Sequence, residues 1–294
     1  MTKAGFVSLI GRPNAGKSTL MNSLLGEKIA MVSQKANATR RRSNAIVMHE
    51  DTQIIFVDTP GIHEREKILN QYMLDEALKA MGDCDLIVYL APVTDGVEHY
   101  EKFLKLNANK VKHIIVIAKI DQVSQEKLFK RISSYSPYAD QFEALIPIAV
   151  PKKLGHNELL KVISKHLPES PFLFDPEDLT SELVRDIYSG FIREGIFENI
   201  SDEIPYESDV IIDSIQEEEK IDRIRATIII EKESQKGIII GKGGDSIKRI
   251  GTYARNKIEI LSGKKAFLEL QVTVKKGWTK DKNFLKEIGY ENVK

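Results

Sequence analysis

Phe6-Val7-Ser8-Leu9-Ile10 runs directly into Gly11-Arg12-Pro13-Asn14-Ala15-Gly16-Lys17-Ser18-Thr19. This stretch decides how the first half of the chain is read. An apolar run of five residues ends at a glycine, and a helix-forming stretch, Lys17 to Leu25, starts where the loop closes. A strand, a loop with glycine at both ends and Lys-Ser at the mouth of a helix make a phosphate cradle. Glycines let successive backbone N–H groups turn toward phosphate oxygens. The helix start adds the positive end of its dipole. Lys17 then reaches the β- and γ-phosphates and Ser18 serves Mg²⁺. A plain glycine turn is the competing reading, and it explains neither Lys17 nor Ser18.

Working outward, Ile54-Ile55-Phe56-Val57, Leu86-Ile87-Val88-Tyr89-Leu90, Ile114-Ile115-Val116-Ile117 and Leu145-Ile146-Pro147-Ile148 are further apolar runs. Near-continuous apolar strands are buried on both faces, as in a mainly parallel sheet. Helical stretches around 66–81, 100–106, 125–134 and 158–166 separate most of them. The fold class predicted is α/β, a doubly wound phosphate-loop domain over residues 1–170. Pro168 to Pro176 holds three prolines in nine residues and reads as a linker. With a helix over about 180–194 it makes a connecting segment, 171–200. Residues 201–294 form a smaller α+β domain ending in a helix. Its strands are expected near 208–215, 225–231 and 267–274, with a short helix near 235–239. Ile247, Ile250, Ala254, Ile258 and Leu261 line one face of a longer helix.

Asp58-Thr59-Pro60-Gly61 follows the second apolar run. Asp58 is placed to hold Mg²⁺, and the Gly61 amide to meet a γ-phosphate, a contact that ends on hydrolysis. Between the two motifs lies a polar segment, Ser33 to Asn44, whose Thr39 is the second candidate magnesium ligand. Catalysis is thus expected to rest on Lys17, Thr39 and Gly61. Base choice is expected from Lys119-Ile120-Asp121: a carboxylate at Asp121 accepts two hydrogen bonds from N1 and N2 of guanine, which adenine does not offer. The stem of Lys119 packs over the base. GTPases usually carry Asn-Lys-x-Asp here, whereas this chain has Ala118. The usual Ser-Ala element also departs, to Ala149-Val150. GTP and GDP remain the expected ligands, with weakened affinity. Ile62 stands where small signalling GTPases place a water-orienting Gln, so intrinsic hydrolysis is expected to be slow. Asn14 either helps hold a K⁺ ion beside the phosphates or only stabilises the turn.

The net charge of zero hides an asymmetry. Ala226 to Lys294 carries 15 Lys and Arg against 8 Asp and Glu. Such a segment suits a polyanionic partner or is simply a solvated surface. Within it, Ile240-Gly241-Lys242-Gly243-Gly244 contains Gly-x-x-Gly between two helical stretches. Alone, this is a helix–helix turn as readily as a binding loop. Before an amphipathic helix in a basic segment it has the arrangement of a KH domain, whose loop clamps single-stranded nucleic acid. Lys248 and Arg249 lie close enough to add charge.

Taken together, Gly11–Ser18, Lys35-Ala36-Asn37-Ala38-Thr39-Arg40, Asp58–Gly61, Lys119–Asp121, Ser201–Tyr206 and Glu231–Lys236 leading to Ile240–Gly244 closely resemble the Era-like GTPases, a bacterial ribosome-associated family. The resemblance covers nearly the whole chain. It departs at Ala38, where the family usually has a first threonine before the second. The resemblance implies binding of the 3′ end of small-subunit (16S) rRNA, assistance in small ribosomal subunit assembly, and RNA-stimulated GTP hydrolysis. It also implies a cytoplasmic protein partly peripheral on the inner membrane, and we expect a monomer. A second reading is an RNA-binding module with a weakly hydrolysing nucleotide domain, and a third a membrane-linked signalling GTPase.

Composition narrows the rest. Apolar residues are 42% and charged residues 29%, as in a globular protein with a real core. No apolar run approaches membrane-spanning length. Met1 to Gly5 runs straight into a strand, so we expect no signal peptide. One cysteine, Cys84, excludes an internal disulfide, and the six scattered histidines have no zinc spacing.

Overall fold

The computed structural model describes residues 1–32, 39–61, 68–201 and 203–290. Its described residues fall into two compact units. The first, reaching Ser181, is built on a six-stranded sheet in the order β2-β3-β1-β4-β5-β6. The strands are β1 (Lys3–Ile10), β2 (Ser43–His49), β3 (Thr52–Asp58), β4 (Leu86–Pro92), β5 (His113–Ala118) and β6 (Ala144–Ile148). The helices are α1 (Lys17–Leu25), α2 (Ile68–Gly82), α3 (Glu98–Leu106), α4 (Gln125–Ser133) and α5 (His156–His166). β1, β3, β4, β5 and β6 run parallel, and β2 pairs antiparallel with β3. All of β3, β4 and β5 is buried, as expected of central strands covered on both faces. The loops leaving the C-terminal ends of β1, β3, β5 and β6 carry the candidate nucleotide residues, where open α/β sheets bind ligands.

Two features differ from the sequence reading. β2 begins inside the polar segment Ser33–Asn44, where the sequence carries no strand signal. It is an edge strand of mixed character, and its ladder to β3 (Ser43↔Asp58 to His49↔Thr52) is what makes it a strand. Second, the helix expected from residue 180 is α6 (Val184–Asn199). The chain before it is bonded to β2 instead: Ile46 N–H donates to Leu179 O at 2.9 Å, and Thr180 Oγ1 to Asn44 O at 2.6 Å. Upstream, the buried Gln53 side chain accepts from the amides of Leu173 and Phe174 at 2.8 and 3.0 Å and donates to Phe174 O at 2.9 Å. The Pro-rich connector is therefore laced along the first sheet.

The second unit contains α6 and a three-stranded sheet, β7 (Ser208–Glu217), β8 (Ile221–Ile230) and β9 (Lys265–Val274), in that order. β7 and β8 are antiparallel, and β8 and β9 parallel. Between β8 and β9 come α7 (Glu233–Ile240) and α8 (Asp245–Ser262), and α9 (Lys282–Glu287) follows β9. Ile187, Phe191, Ile192 and Ile196 of α6 and Ile250, Ala254 and Ile258 of α8 pack on Ile224, Ala226, Ile228 and Ile230 of β8. Each large apolar side chain among them contributes roughly 1.5–3 kcal/mol when fully buried. Ile247 and Leu261, at the ends of the α8 stripe, are only partly buried.

Candidate nucleotide site and nucleic-acid loop

β1 delivers the loop Gly11–Gly16 and α1 begins at Lys17. The loop needs left-handed backbone at Asn14 (φ 61°) and Gly16 (φ 105°). Glycine meets this freely, and asparagine is among the few other residues that tolerate it. A Cβ at Gly11 would lie 2.7 Å from Leu90 O, so that position has no room for a side chain. Lys17 is 6% exposed, and its Nζ donates to Gly11 O and Arg12 O, both at 3.2 Å. Burial pushes its pKa down to about 8; Asp58 opposes that shift and Arg12 adds to it. A buried ammonium gripping the loop's own carbonyls is placed to exchange them for anionic oxygens.

Ser18 and Thr39 converge on Asp58. Ser18 Oγ donates to Asp58 Oδ2 at 2.5 Å, Thr39 Oγ1 to the same oxygen at 3.4 Å, and the two hydroxyls are 3.1 Å apart. Asp58 is fully buried, and its Oδ1 has no hydrogen-bond partner among the described residues. Burial raises its pKa, against the opposing charge of Lys17 and the hydroxyl bonds. An orphaned buried carboxylate oxygen with two hydroxyls beside it is a hard-oxygen set. It fits Mg²⁺, which takes one or two carboxylates and completes its shell with phosphate oxygens and water. Thr59 is buried too and donates to Leu9 O at 2.7 Å. A Cβ at Gly61 would approach Pro13 N at 2.6 Å, so Gly61 itself packs closely on the phosphate loop.

At the base end, Lys119 adopts φ 63° and its Nζ donates to Asn14 O at 2.9 Å. Its stem therefore lies over the loop. Asp121 stands exposed in the short turn Ile120–Gln122. Ala118 is buried and offers no polar side chain. Ala149 is buried as well; its amide donates to Leu154 O at 3.2 Å, and Val150 opens a short helical turn. The structure thus brings Gly11–Thr19, Thr39, Asp58–Gly61, Lys119 and Asp121 to one end of the sheet. Ile62 and Lys35–Ala38 lie outside the described residues. Arg12 departs from expectation: its guanidinium leaves the cradle for Asp95, a residue the sequence reading missed. An Asp-Gly turn after an apolar strand is its only signal, and that marks no partner.

In the second unit Ile240 ends α7, and Gly241–Gly244 bridges to α8. Gly241, Gly243 and Gly244 have φ of 74°, 61° and 81°. A Cβ at Gly241 would meet Ser246 Oγ at 2.6 Å, whereas Gly243 and Gly244 face open space. Lys242 and Lys248 are exposed. Arg249 is exposed too, but pairs with Asp245 at 2.8 Å one turn back. Gln235 holds α7 in place: Oε1 accepts from the amides of Glu231 and Lys232 at 3.0 and 2.9 Å, and Nε2 donates to Glu207 at 2.7 Å.

Comparison with known proteins agrees with both halves. Residues 6–119 match the family described as 50S ribosome-binding GTPase, and residues 192–279 the KH domain. GTPase Era of Helicobacter pylori strain P12 is 52% identical over 98% of this chain and 97% of its own. GTPase Era of Campylobacter concisus is 51% identical over 98% of this chain and 100% of its own. Two solved structures superpose with a TM-score of 0.94 at 32% identity. One is Era in complex with MgGDPNP and nucleotides 1506–1542 of 16S ribosomal RNA, matched over 99% of both chains. The other is an Aquifex aeolicus Era variant bound to GDP·AlF4⁻, matched over 98% of this chain and 99% of that one. On full-length identity, sheet order and the paired phosphate and Gly-x-x-Gly loops, the chain belongs to the Era family of GTPases.

Proposed function

We propose that this GTPase uses the state of its nucleotide to govern binding of the 3′ end of small-subunit rRNA, and so assists assembly of that subunit. The supporting observation is the 0.94 superposition, over 99% of both chains, on an Era that holds MgGDPNP and 16S rRNA nucleotides 1506–1542. Gly11–Thr19 binds the phosphates through its amides, and Lys17 stabilises charge on the β- and γ-oxygens. Ser18, Thr39 and Asp58 hold Mg²⁺, which neutralises charge developing on the phosphate oxygens. Thr59 and Pro60 carry Gly61 to the γ-phosphate, so loss of that group frees the segment. Asp121 reads guanine, Lys119 covers the base, and Ala149-Val150 closes the pocket with backbone groups only. Ile240–Gly244 receives the RNA backbone, and Lys242, Lys248 and Arg249 supply charge.

Hydrolysis without RNA is slow on this reading, because no carboxamide stands at Ile62 to orient water. Asn14 with K⁺ supplies the missing electrophile, so single-turnover hydrolysis runs faster in potassium than in sodium; equal rates would remove the ion from the account. The protein works as a cytoplasmic monomer with partial peripheral attachment to the inner membrane. Among the described residues no helix is long and apolar enough to cross a membrane.

The test is binding of a 3′-terminal 16S fragment with GDP and with a non-hydrolysable GTP analogue, alongside GTP turnover with and without the fragment. Expected are at least tenfold tighter binding in the analogue state and stimulated turnover. Equal affinity in both states together with unstimulated, negligible turnover would instead favour an RNA-binding module with a weakly hydrolysing nucleotide domain, the reading that Ala118, Ala149 and Ile62 favour.

A further inference from the structure

Arg12 is the second residue of the phosphate loop, yet its side chain is spent elsewhere. Nε and Nη2 donate to Oδ2 and Oδ1 of Asp95 at 2.5 and 2.7 Å, and Nη1 donates to Pro13 O at 3.1 Å. Asp95, 8% exposed, sits in the turn that follows β4. That turn is itself fixed: Asp95 N–H donates to Pro92 O and Val93 N–H to Ala118 O, both at 2.9 Å, and Arg131 Nε donates to Val93 O at 3.1 Å. On the other flank of the loop, Lys119 Nζ grips Asn14 O. Residues 12–14 are therefore held from two sides by elements more than eighty residues away in sequence.

A phosphate loop works only if its amides stay unpaired and aimed inward, in a conformation that its own short-range bonds do not enforce. Asn14 and Gly16 are left-handed, and Ala15 N–H reaches only Arg12 O, at 3.2 Å. An Arg–carboxylate fork fixes orientation as well as distance, because two parallel N–H···O bonds define a plane. The carboxylate also balances the Arg12 charge, which otherwise bears on the neighbouring buried Lys17. Ala118 has no polar side chain to offer, and the fork and Lys119 tie the loop to the segments that follow β4 and β5.

We propose that Asp95 is a positioning residue for guanine-nucleotide binding, acting through its two-pronged bond to Arg12 to hold the phosphate loop in its binding shape. Arg12 in turn acts through Asp95 and not by touching phosphate. The inference rests on the nucleotide reading of the site and is independent of the RNA reading, since protein and nucleotide alone test it.

The experiment measures Kd for a fluorescent GDP analogue with Mg²⁺, binding stoichiometry and GTP turnover. It uses the full chain, Asp95→Ala, Asp95→Asn, Arg12→Ala and the Arg12→Ala/Asp95→Ala double variant. Loss of a charge-assisted pair predicts about ten- to hundredfold weaker binding for Asp95→Ala. Asp95→Asn falls between it and the wild type. The double variant binds within about twofold of each single alanine variant, the mark of two residues acting as one. In Asp95→Ala KM rises by a larger factor than kcat falls. Wild-type affinity in Asp95→Ala, or additive losses in the double variant, would overturn the proposal, the latter giving Arg12 its own phosphate contact. Lowered stoichiometry at unchanged Kd would reduce Asp95 to a folding residue and overturn it equally. No binding by the wild type would sink the nucleotide reading itself.

Discussion

Asp58 and Ser18, 40 residues apart in the chain, share a hydrogen bond of 2.5 Å. The parallel register that sets Leu9 beside Asp58 puts the end of β3 level with the end of β1, and the loop then returns Ser18 to it. The second oxygen of the buried carboxylate is left with no hydrogen-bond partner among the described residues.

Asp58→Asn should therefore remove magnesium dependence more than nucleotide binding. A metal is worth several kcal/mol to a phosphoryl transition state, so GTP hydrolysis should fall roughly 10²- to 10³-fold. GDP affinity should change by less than about tenfold. Turnover titrated against Mg²⁺ checks this, and a variant that keeps the wild-type Mg²⁺ response would refute the ligand assignment.

On the proposed reading, base recognition is concentrated on Asp121. Asp121→Asn exchanges acceptors for a donor and an acceptor, which should weaken GDP by about 10²-fold and bring xanthosine diphosphate to comparable affinity. Ala118→Asn should act in the opposite sense, tightening GDP by about three- to tenfold, one net hydrogen bond. Competition against a fluorescent GDP analogue reads both; unaltered selectivity in Asp121→Asn would show that the base binds elsewhere.

The glycines at 243 and 244 border open space, so a side chain there meets no protein atom and, on the proposed reading, faces the RNA. Gly243→Asp, a residue that tolerates the left-handed region, should keep the fold and GTP turnover without RNA while weakening RNA binding at least tenfold by charge repulsion. Lys242→Ala and Lys248→Ala should each lower the salt dependence of RNA affinity by about 0.7 in log–log slope. Filter binding across a salt series measures this, and unchanged slopes would leave both lysines out of the interface.

His113 is 3% exposed, with Nε2 2.8 Å from the Tyr100 hydroxyl and its ring edge-on to Phe103 at 5.0 Å. Burial lowers its pKa against the opposing effects of the Val111 backbone and Glu143. The unfolded chain then takes up a proton near pH 6.5 that the folded chain refuses. Stability from this group is present above that pH and is lost as pH falls below it, with a slope of at most about 1.4 kcal/mol per unit. His113→Gln, which does not titrate, should flatten urea-midpoint curves between about pH 7 and 5. An equally steep curve in the variant would assign the acid sensitivity elsewhere, His156 being the other histidine among the described residues whose pKa burial lowers.

Motifs whose logic is local are legible in the order of residues. Gly11–Ser18 after an apolar run, Asp58–Gly61 after another and Gly241–Gly244 between helices each encode a backbone conformation within a few residues. β2 is only half legible: Ala45-Ile46-Val47-Met48 is a short apolar run, but Ser43, Asn44 and His49 join it to the strand only through the antiparallel ladder to β3. α6 begins four residues later than its apolar pattern suggests, because Leu179 and Thr180 spend their polar groups on β2.

By itself, the amino-acid order determined that a phosphate-binding α/β unit precedes a basic unit with a Gly-x-x-Gly turn, because loop conformation, strand burial and helix periodicity act over short stretches. Tertiary structure alone decided which distant groups meet. It sent the Arg12 guanidinium to Asp95 rather than into the cradle, and brought the Ser18 and Thr39 hydroxyls to Asp58 Oδ2 while Oδ1 keeps no hydrogen-bond partner among the described residues. Those encounters depend on strand register and crossover connections, which bring together residues whose pairing no local periodicity records.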